Sequence, residues 1–438
     1  MRPDVIFALA SGAGRAAVAV IRLSGIGTGA VVATLAGRLP TPRLATLRRL
    51  RHPDTGELLD RALVLWFPAP RSYTGEDAAE LHLHGGPAVI AGVADALVAS
   101  GARPAEAGEF TRRAFVNGKL DLTAAEGIAD LIAAETSAQR RQALRQADGA
   151  LAELYGAWAA RLTKLLARQE TLIEFESEDL PSGLEDAVTV AASVLAAEVR
   201  THLADGGHGE RLRDGLHVAI LGAPNVGKSS LLNALIGRDA AIVSTRAGTT
   251  RDVVEARLDL GGVPVTLADT AGLREAGGEI EAEGIRRARQ RGAEADIVVA
   301  MFATDQPPDA ATLALIGPDT LVVANKLDLV PAPLSIGGAV AFGISTRTGE
   351  GLSALRSYLI GVVASRAMMT EGVSLTRPRH RAALEETAGW LVELEQATLP
   401  ELRAEVLRAA VRSLGRITGH VGVDAVLDAV FGEFCIGK

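Results

Sequence analysis

Residues 222–229, which read GAPNVGKS, constrain the fold of this chain more than any other segment. An apolar run of strand length precedes them at 216–221, and a helical run follows at 230–236. In this context the glycines let the backbone wrap around phosphate groups at the start of a helix. Lys228 would reach the β- and γ-phosphates, and the Ser229 hydroxyl would bind Mg²⁺. The segment therefore predicts a phosphate-binding loop between a strand and a helix.

Short apolar runs alternate with helical segments throughout this part of the chain. The runs lie at 216–221, 263–268, 297–302, 321–324 and 339–344. Alternation of this kind is typical of a βαβ domain with a mainly parallel sheet. We therefore expect a Ras-like P-loop domain around residues 222–229.

Polar motifs follow three of the predicted strands, in the order that a GTPase requires. Residues 269–272 (DTAG) would approach Mg²⁺ and the γ-phosphate, and residues 345–347 (STR) would form a weaker base-binding loop. Residues 325–328 (NKLD) place the carboxylate of Asp328 where it can accept from the N1–H and 2-amino groups of guanine. Adenine has neither group there, so the motifs predict GTP rather than ATP.

Two features of the predicted switch regions affect the hydrolysis. Leu273 follows the DTAG motif, and leucine cannot orient the attacking water. In residues 244–252 (STRAGTTRD), Thr250 is the natural second Mg²⁺ ligand. The carbonyls near it, with Asn225, resemble the K⁺ site of cation-activated GTPases; alternatively, Asn225 only braces the phosphate loop. The charge of Arg246 in this loop leaves the K⁺ affinity open.

The complete set of predicted nucleotide and ion contacts follows from these motifs. The predicted GTP contacts are Asn225, Val226, Gly227, Lys228, Ser229, Ser230, Ser244, Thr245, Arg246, Ala247, Gly248, Thr249, Thr250, Asp269, Thr270, Ala271, Gly272, Asn325, Lys326, Asp328, Ser345, Thr346 and Arg347. The predicted Mg²⁺ ligands are Ser229 and Thr250, and the predicted K⁺ contacts are Asn225, Ser244, Arg246 and Thr249.

The whole chain reads as three kinds of domain. Residues 1–118 are mixed α+β, residues 119–210 and 370–438 are helical, and residues 211–369 carry the α/β pattern. We expect a GTPase domain inserted into a discontinuous helical domain. The net charge of -8 excludes a uniformly basic nucleic-acid binder, and a single cysteine excludes an intrachain disulfide. We expect a soluble, cytoplasmic protein without a membrane span.

Several motifs outside the α/β region resemble those of one family. They are residues 20–25 (VIRLSG), 74–77 (TGED) with Glu80, 84–87 (HGGP), 108–115 (GEFTRRAF), 117–121 (NGKLD) and 434–438 (FCIGK). Together with the GTPase motifs they resemble, over the whole chain, the tRNA modification GTPase MnmE (TrmE) family. The resemblance implies a folate-binding dimerisation domain at residues 1–118, beside the helical and GTPase domains.

The resemblance also implies an activity and its partners. A homodimer would assemble with a flavin-dependent (FAD) protein of MnmG (GidA) type into a heterotetramer that acts on tRNA. Together they would add an aminomethyl or carboxymethylaminomethyl group at C5 of the wobble uridine. The carbon would come from 5,10-methylene- or 5-formyl-tetrahydrofolate, with GTP hydrolysed to GDP.

The resemblance also implies roles for single residues of this chain that stand at the family's functional positions. Arg22, Glu80, Lys119 and Lys438 match the folate contacts, although Arg22 and Glu80 could instead be an ordinary surface ion pair. Glu281 matches the residue that would orient water, and the alternative is an exposed switch-region glutamate. The predicted catalytic residues are thus Glu281, Lys228 and Thr250.

Two other functions remain open from the sequence. One is a regulatory GTPase of the ribosome-assembly type, whose flanking domains would be RNA or protein adaptors. The other is a folate-dependent one-carbon transferase with a vestigial GTPase domain. Folate binding distinguishes the first from tRNA modification, since an assembly factor should bind no folate.

Overall fold

The structure, a computed structural model, divides into two compact units. It describes residues 4–174, 183–237, 255–269, 290, 292, 294–367, 373–419, 427, 430–432, 434 and 437. The first unit comprises Met1–Ala129, Gln146–Ala192 and Glu393–Lys438, and the second comprises Asp130–Arg145 and Ser193–Val392.

A six-stranded sheet forms the N-terminal part of the first unit. Its strands are β1 (Ile6–Leu9), β2 (Ala16–Ser24), β3 (Thr46–Arg51), β4 (Leu58–Phe67), β5 (Ala78–Gly85) and β6 (Arg103–Pro104). They lie in the order β3-β4-β5-β2-β1-β6, antiparallel except for the parallel pair β1 and β6. Two helices, α1 (Thr28–Ala36) and α2 (Pro87–Ala99), cover this sheet.

Alternating burial along β2 gives the sheet two different faces. Ile21 and Leu23 are buried in the core that includes Leu35, Leu81 and Leu97. Arg22, between them, points to the other face because successive side chains of a strand alternate. Arg22 and its register partner Glu80, two of the four predicted folate contacts, therefore lie on the face opposite the two helices.

Helices make up the remainder of the first unit and the flanks of the second. They are α3 (Glu109–Val116), α4 (Leu122–Ala133), α5 (Ser137–Ala147), α6 (Ala150–Glu174), α7 (Leu184–Leu203) and α8 (His208–Asp214), followed near the C-terminus by α12 (Pro378–Gln396) and α13 (Pro400–Thr418). In the first unit α6 packs along α13. Phe431 and Phe434 pack with Leu122 and Ala125, which ties the C-terminal residues to the start of α4.

A seven-stranded sheet forms the centre of the second unit. Its strands are β7 (Leu216–Leu221), β8 (Glu255–Leu260), β9 (Val263–Asp269), β10 (Ile297–Ala303), β11 (Thr320–Asn325), β12 (Ser335–Ile336) and β13 (Ala339–Gly343), in the order β12-β13-β11-β10-β7-β9-β8. The five central strands are parallel, and β8 and β12 are antiparallel edges. Its helices are α9 (Lys228–Ile236), α10 (Ala310–Leu313) and α11 (Leu352–Arg366).

The predicted fold class is confirmed. All five predicted strands of the α/β region are present and parallel. Helices precede and follow this region along the chain, as predicted. The sequence did not reveal β8, an antiparallel edge strand with the polar pattern EARLDL. The boundaries at residues 118, 210 and 369 stay a prediction, and the two compact units group the helices differently from it.

One helical stretch in the described part of the chain, Leu184–Asp214, is long and apolar enough to cross a membrane by length and composition alone. Core helices of soluble proteins also meet that criterion. Val188, Leu195 and Val199 of this stretch are completely buried within the protein.

Candidate functional site

The phosphate-binding loop joins β7 to α9 in a backbone path that only glycine permits at two points. A Cβ atom on Gly222 would lie 2.4 Å from the carbonyl oxygen of Met301. Gly227 has φ +103°, and a Cβ atom there would lie 2.2 Å from Nδ2 of Asn325. The loop is thus held against the ends of β10 and β11, where the motif predicts that phosphate binds.

Lys228 begins α9 and is buried. Its Nζ atom donates to the carbonyl oxygens of Gly222 at 2.9 Å and Ala223 at 2.8 Å. The ammonium group therefore folds back over the loop, within the backbone cradle. Ser229 and Ser230 follow on the first turn of α9 and are exposed.

Asn225 and Val226 occupy the tip of the same loop. Asn225 is exposed and adopts φ +61°, a left-handed conformation that is uncommon for a residue other than glycine. Val226 is buried and packs in the hydrophobic core of the second unit. The Asn225 side chain is therefore available to a ligand at the loop, as a K⁺ contact requires.

Asn325 connects three of the predicted motifs through its buried side chain. Its Nδ2 atom donates to the carbonyl oxygen of Val226 at 2.8 Å and to the hydroxyl of Thr346 at 3.3 Å. Its Oδ1 atom accepts from the Thr346 backbone N–H at 3.1 Å. The phosphate loop and the two base-binding loops consequently meet at one side chain.

Asp328 lies where the two base-binding loops meet. Its Oδ1 atom accepts from the hydroxyl of Ser345, and its Oδ2 atom lies 2.6 Å from Nη2 of Arg347. The hydrogen bond from Ser345, with the charge of Arg347, lowers the pKa of Asp328 below its ordinary value. The group is therefore held as a carboxylate, the form that accepts from guanine.

Lys326 is fixed by residues that the sequence motifs did not identify. It adopts φ +70°, and its Nζ atom lies 3.0 Å from a carboxylate oxygen of Asp305. The Thr304 hydroxyl donates to the Lys326 carbonyl oxygen at 2.8 Å. Both partners directly follow β10, so the expectation that strand ends converge could have pointed to them.

Some predicted nucleotide contacts lie outside the described residues. Asp269 ends β9, as predicted, and β9 lies next to β7, the strand that precedes the phosphate loop; only the backbone of Asp269 is described. The contacts outside the described residues are Ser244, Thr245, Arg246, Ala247, Gly248, Thr249, Thr250, Thr270, Ala271 and Gly272, and Glu281 is outside them as well.

A second candidate site lies on the open face of the N-terminal sheet. Arg22 of β2 pairs in register with Glu80 of β5, and its Nη2 atom lies 3.0 Å from Glu80 Oε1. Glu80 Oε2 lies 3.3 Å from Nε2 of His82. The Arg22 guanidinium also lies 5.6 Å from the centre of the Tyr73 ring. A cation, a carboxylate and an aromatic ring therefore share one surface.

Lys119 lies beside the loop that borders this surface. Its Nζ atom donates to the carbonyl oxygen of Pro70 at 3.2 Å, and its stem packs against Gly75. Lys438 is outside the described residues. Gly437, next to it, is so close to Leu9 that a Cβ atom would lie 2.3 Å from the Leu9 carbonyl oxygen. The chain thus reaches the N-terminal sheet one residue before Lys438.

The structure adds residues to this second site that the sequence did not suggest. A cavity of about 220 Å³ is bordered by Arg22, Glu80, Arg43, Arg71 and Phe67, among others. Arginine supplies all but five of the 45 basic residues, so no compositional signal distinguished Arg43 or Arg71. The order of strands in the sheet brings the loops that carry them to the same cavity as Arg22.

A buried ion network supports one wall of the cavity. Arg113 of α3 is 2% exposed and binds Glu109 at 2.9 Å, Glu76 at 3.1 Å and Asp4 at 2.8 Å. Glu76 also accepts from the hydroxyl of Ser24, which lines the cavity. The network therefore connects α3 to the cavity wall.

The chain matches two family models and many curated proteins. The model "GTP-binding protein TrmE N-terminus" matches residues 5–119, and the model "MnmE helical domain" matches residues 122–435. A tRNA modification GTPase MnmE from Gluconacetobacter diazotrophicus is 61% identical over 99% of this chain and 98% of its own. Proteins of the same name from Paramagnetospirillum magneticum and Granulibacter bethesdensis are 54% and 53% identical, over 99% and 100% of this chain and the whole of their own. At this identity over the full length, the chain belongs to the tRNA modification GTPase MnmE family.

Proposed function

We propose that this protein is a GTPase that acts in tRNA modification. Its family membership supports this function, as does the convergence of the phosphate loop and both base-binding loops on Asn325. The hydrogen bonds of Asn325 are the main structural support, because one nucleotide can be bound only if the phosphate contacts and the base contacts lie together. Family membership also favours tRNA modification over the ribosome-assembly alternative.

The described residues support separate roles in GTP binding, with some groups binding the phosphates and others the base. Backbone N–H groups of the phosphate loop, at the N-terminus of α9, would hold the phosphates. Lys228 would exchange its two carbonyl partners for phosphate oxygens. Asp328, already ionised and hydrogen-bonded to Ser345, would accept from the guanine N–H groups. This arrangement selects guanine and positions the γ-phosphate for attack by water.

The residues at the loop also fit the ions that the family implies. Ser229, an exposed residue on the first turn of α9, would bind Mg²⁺ through its hydroxyl, with Thr250 as the second ligand. The exposed, left-handed Asn225 suits K⁺, with Ser244, Arg246 and Thr249. Such ions supply positive charge that stabilises the phosphoryl-transfer transition state. Glu281 would orient the water, since Leu273 cannot.

The side chains that line the N-terminal cavity support the proposal that it binds a tetrahydrofolate that carries a one-carbon unit. A pterin offers N–H groups to the carboxylate of Glu80, and its ring can pack beside Tyr73. Arg22, which is paired with Glu80, would hold that carboxylate in place. The glutamate of the carrier needs a cation such as Lys119, and Lys438 would complete the site from the C-terminus. The one-carbon unit would become part of an aminomethyl-type group at C5 of the wobble uridine.

The proposed reaction also needs partners and a cellular location. We propose that the protein forms a homodimer and acts in the cytoplasm with an FAD protein of MnmG (GidA) type. In this assembly the flavin would supply redox chemistry, and GTP hydrolysis would drive a conformational cycle. Family resemblance is the basis for these partners.

The test is mass analysis of the wobble uridine from cells that lack this gene. The modified nucleoside should disappear and return with the wild-type gene, and it should not return with an Asp328→Asn variant. Unchanged uridine modification in the deletion strain would refute the function. A parallel titration with 5-formyl-tetrahydrofolate tests the cavity, because an assembly-factor GTPase should bind none.

A further inference from the structure

Two arginines at the edge of the N-terminal cavity, Arg43 and Arg71, are called the rim arginines here. Both border the same cavity as Arg22 and Glu80. Both residues are exposed, and the side chain of Arg43 reaches the backbone of Arg71, since Arg43 Nη2 donates to the Arg71 carbonyl oxygen. The cavity edge therefore carries two positive charges in addition to that of Arg22.

The position of Arg43 is held by the fold. Its backbone N–H donates to the Trp66 carbonyl oxygen at 2.8 Å, and its φ of +64° is left-handed. Residues other than glycine hold such a conformation at a cost, usually where the surroundings or a function require it. The guanidinium lies 5.7 Å from the centre of the Phe67 ring. This packing keeps its charge at the cavity edge.

The acidic residues near the rim are engaged elsewhere. Glu80 is paired with Arg22, and Glu76 is paired with Arg113. Asp77 accepts through Oδ1 from the backbone N–H of Ala69, in the loop that carries Arg71, and not from a rim arginine. Within the part of the chain that the structure describes, neither rim arginine forms an ion pair with a carboxylate. The rim is thus a cationic edge that an anionic ligand would complement.

We propose that Arg43 and Arg71 form an anion subsite for the γ-linked glutamyl tail of the folate carrier. This inference rests on the proposed folate function of the cavity. Each additional glutamyl residue adds one carboxylate, and arginine binds carboxylates with two parallel hydrogen bonds. The subsite would make the protein prefer a polyglutamylated carrier to the monoglutamate.

The continuity of the rim with the cavity favours the tail over an RNA phosphate. A tail attached to a ligand in the cavity reaches the rim without paying a second association cost. Contact with tRNA phosphates is the competing explanation for the same two arginines.

The experiment compares two ligands by calorimetry on the full-length protein. The ligands are 5-formyl-tetrahydrofolate with one glutamate and the same compound with five. The variants are Arg43→Gln, Arg71→Gln and the double change, and Arg49→Gln is the matched control on β3. The measured quantity is the ratio of the two dissociation constants, in which a general loss of folding cancels.

Wild-type protein and the Arg49→Gln variant should bind the pentaglutamate at least about tenfold more tightly than the monoglutamate. Each rim variant should reduce this ratio, and the double variant should bring it below about threefold. If the monoglutamate binds and the pentaglutamate binds no better, the subsite is refuted while the folate function stands. If neither ligand binds wild-type protein, the folate function itself fails. Weaker tRNA binding by the double variant, with the ligand ratio unchanged, would assign the rim to RNA and overturn the proposal.

Discussion

The guanidinium of Arg347 lies 2.6 Å from a carboxylate oxygen of Asp328, the group that we propose binds guanine. A base that reaches this carboxylate must therefore share it with an ion pair that already exists. Arg347 is 73% exposed, whereas Asp328 is 11% exposed. The arginine can consequently move away while the carboxylate stays in place, held by Ser345.

Asp328→Asn should weaken GTP binding by on the order of 2–3 kcal/mol, because a charged acceptor of two hydrogen bonds is lost. Fluorescence titration with a labelled guanine nucleotide measures this. Asp319→Asn is the matched control, since Asp319 is 87% exposed in the same unit. Unaltered affinity in Asp328→Asn would mean that the carboxylate does not contact the base.

GTP hydrolysis should depend on K⁺, because Leu273 supplies no group to orient water. Replacing K⁺ with Na⁺ should lower the turnover rate at least tenfold, about 1.4 kcal/mol of barrier. Asn225→Ala should remove most of that difference, since its side chain is the one described K⁺ candidate. Equal rates in the two salts for wild-type protein would refute the K⁺ site.

Glu281→Ala should retain GTP binding and lower turnover, because the water would lose its orienting carboxylate. Glu279→Ala is the matched control two residues away, and both positions lie outside the described residues. Single-turnover hydrolysis, measured with nucleotide affinity, separates the two effects. A normal hydrolysis rate in Glu281→Ala would mean that Glu281 does not orient the attacking water.

Lys438→Ala should lower folate affinity at least about tenfold and abolish wobble-uridine modification, since a cation facing the carrier is lost. Lys164→Ala, on the exposed face of α6, is the control. A point change is preferable to a deletion, because Phe434 is 5% exposed and packs on Phe431. Normal modification in Lys438→Ala would exclude the C-terminus from the site, and a parallel loss of GTP hydrolysis would indicate misfolding.

Arg113→Ala should destabilise the first unit by about 3–5 kcal/mol at neutral pH, because buried carboxylates lose their cation. Burial alone would raise the pKa of Glu109, but hydrogen bonds from Arg103, a backbone N–H and Arg113 lower it overall. A lowered pKa stabilises the fold above the unfolded pKa, and this stabilisation disappears as pH falls through the folded value.

The difference between wild-type protein and Arg113→Ala should therefore shrink below about pH 4. Urea unfolding followed by circular dichroism, at neutral and acidic pH, measures the difference. Arg49→Ala, on the exposed side of β3, should have little effect at either pH. A difference that does not change with pH would mean that Glu109 and Asp4 are not the partners that matter.

Local sequence patterns predicted much of the nucleotide site but not its connections. The strand, the glycines and Lys228 follow one another along the chain, so a single motif identified them. The bond from Asn325 to Val226 joins residues 99 positions apart and depends on the order of strands in the sheet. Periodicity carries no information on that order.

The residues of the N-terminal cavity were harder to predict from the sequence. Arg22 and Glu80 meet through the register of β2 on β5, and a shift of one residue would separate them. Only family resemblance had suggested this pair. Arg43 and Arg71 lie on loops in an arginine-rich chain, where neither spacing nor composition marks a binding residue.

The position of α5 determines which fragments of this protein can be expressed and studied separately. Ala138 of that helix is buried with Leu258 and Leu260 of β8, and Glu135 pairs with Arg257 at 3.2 Å. A fragment limited to residues 211–369 would leave an edge strand and its apolar side chains uncovered, which invites aggregation. A fragment that behaves like the intact GTPase needs residues 130–145 joined to it by an artificial linker.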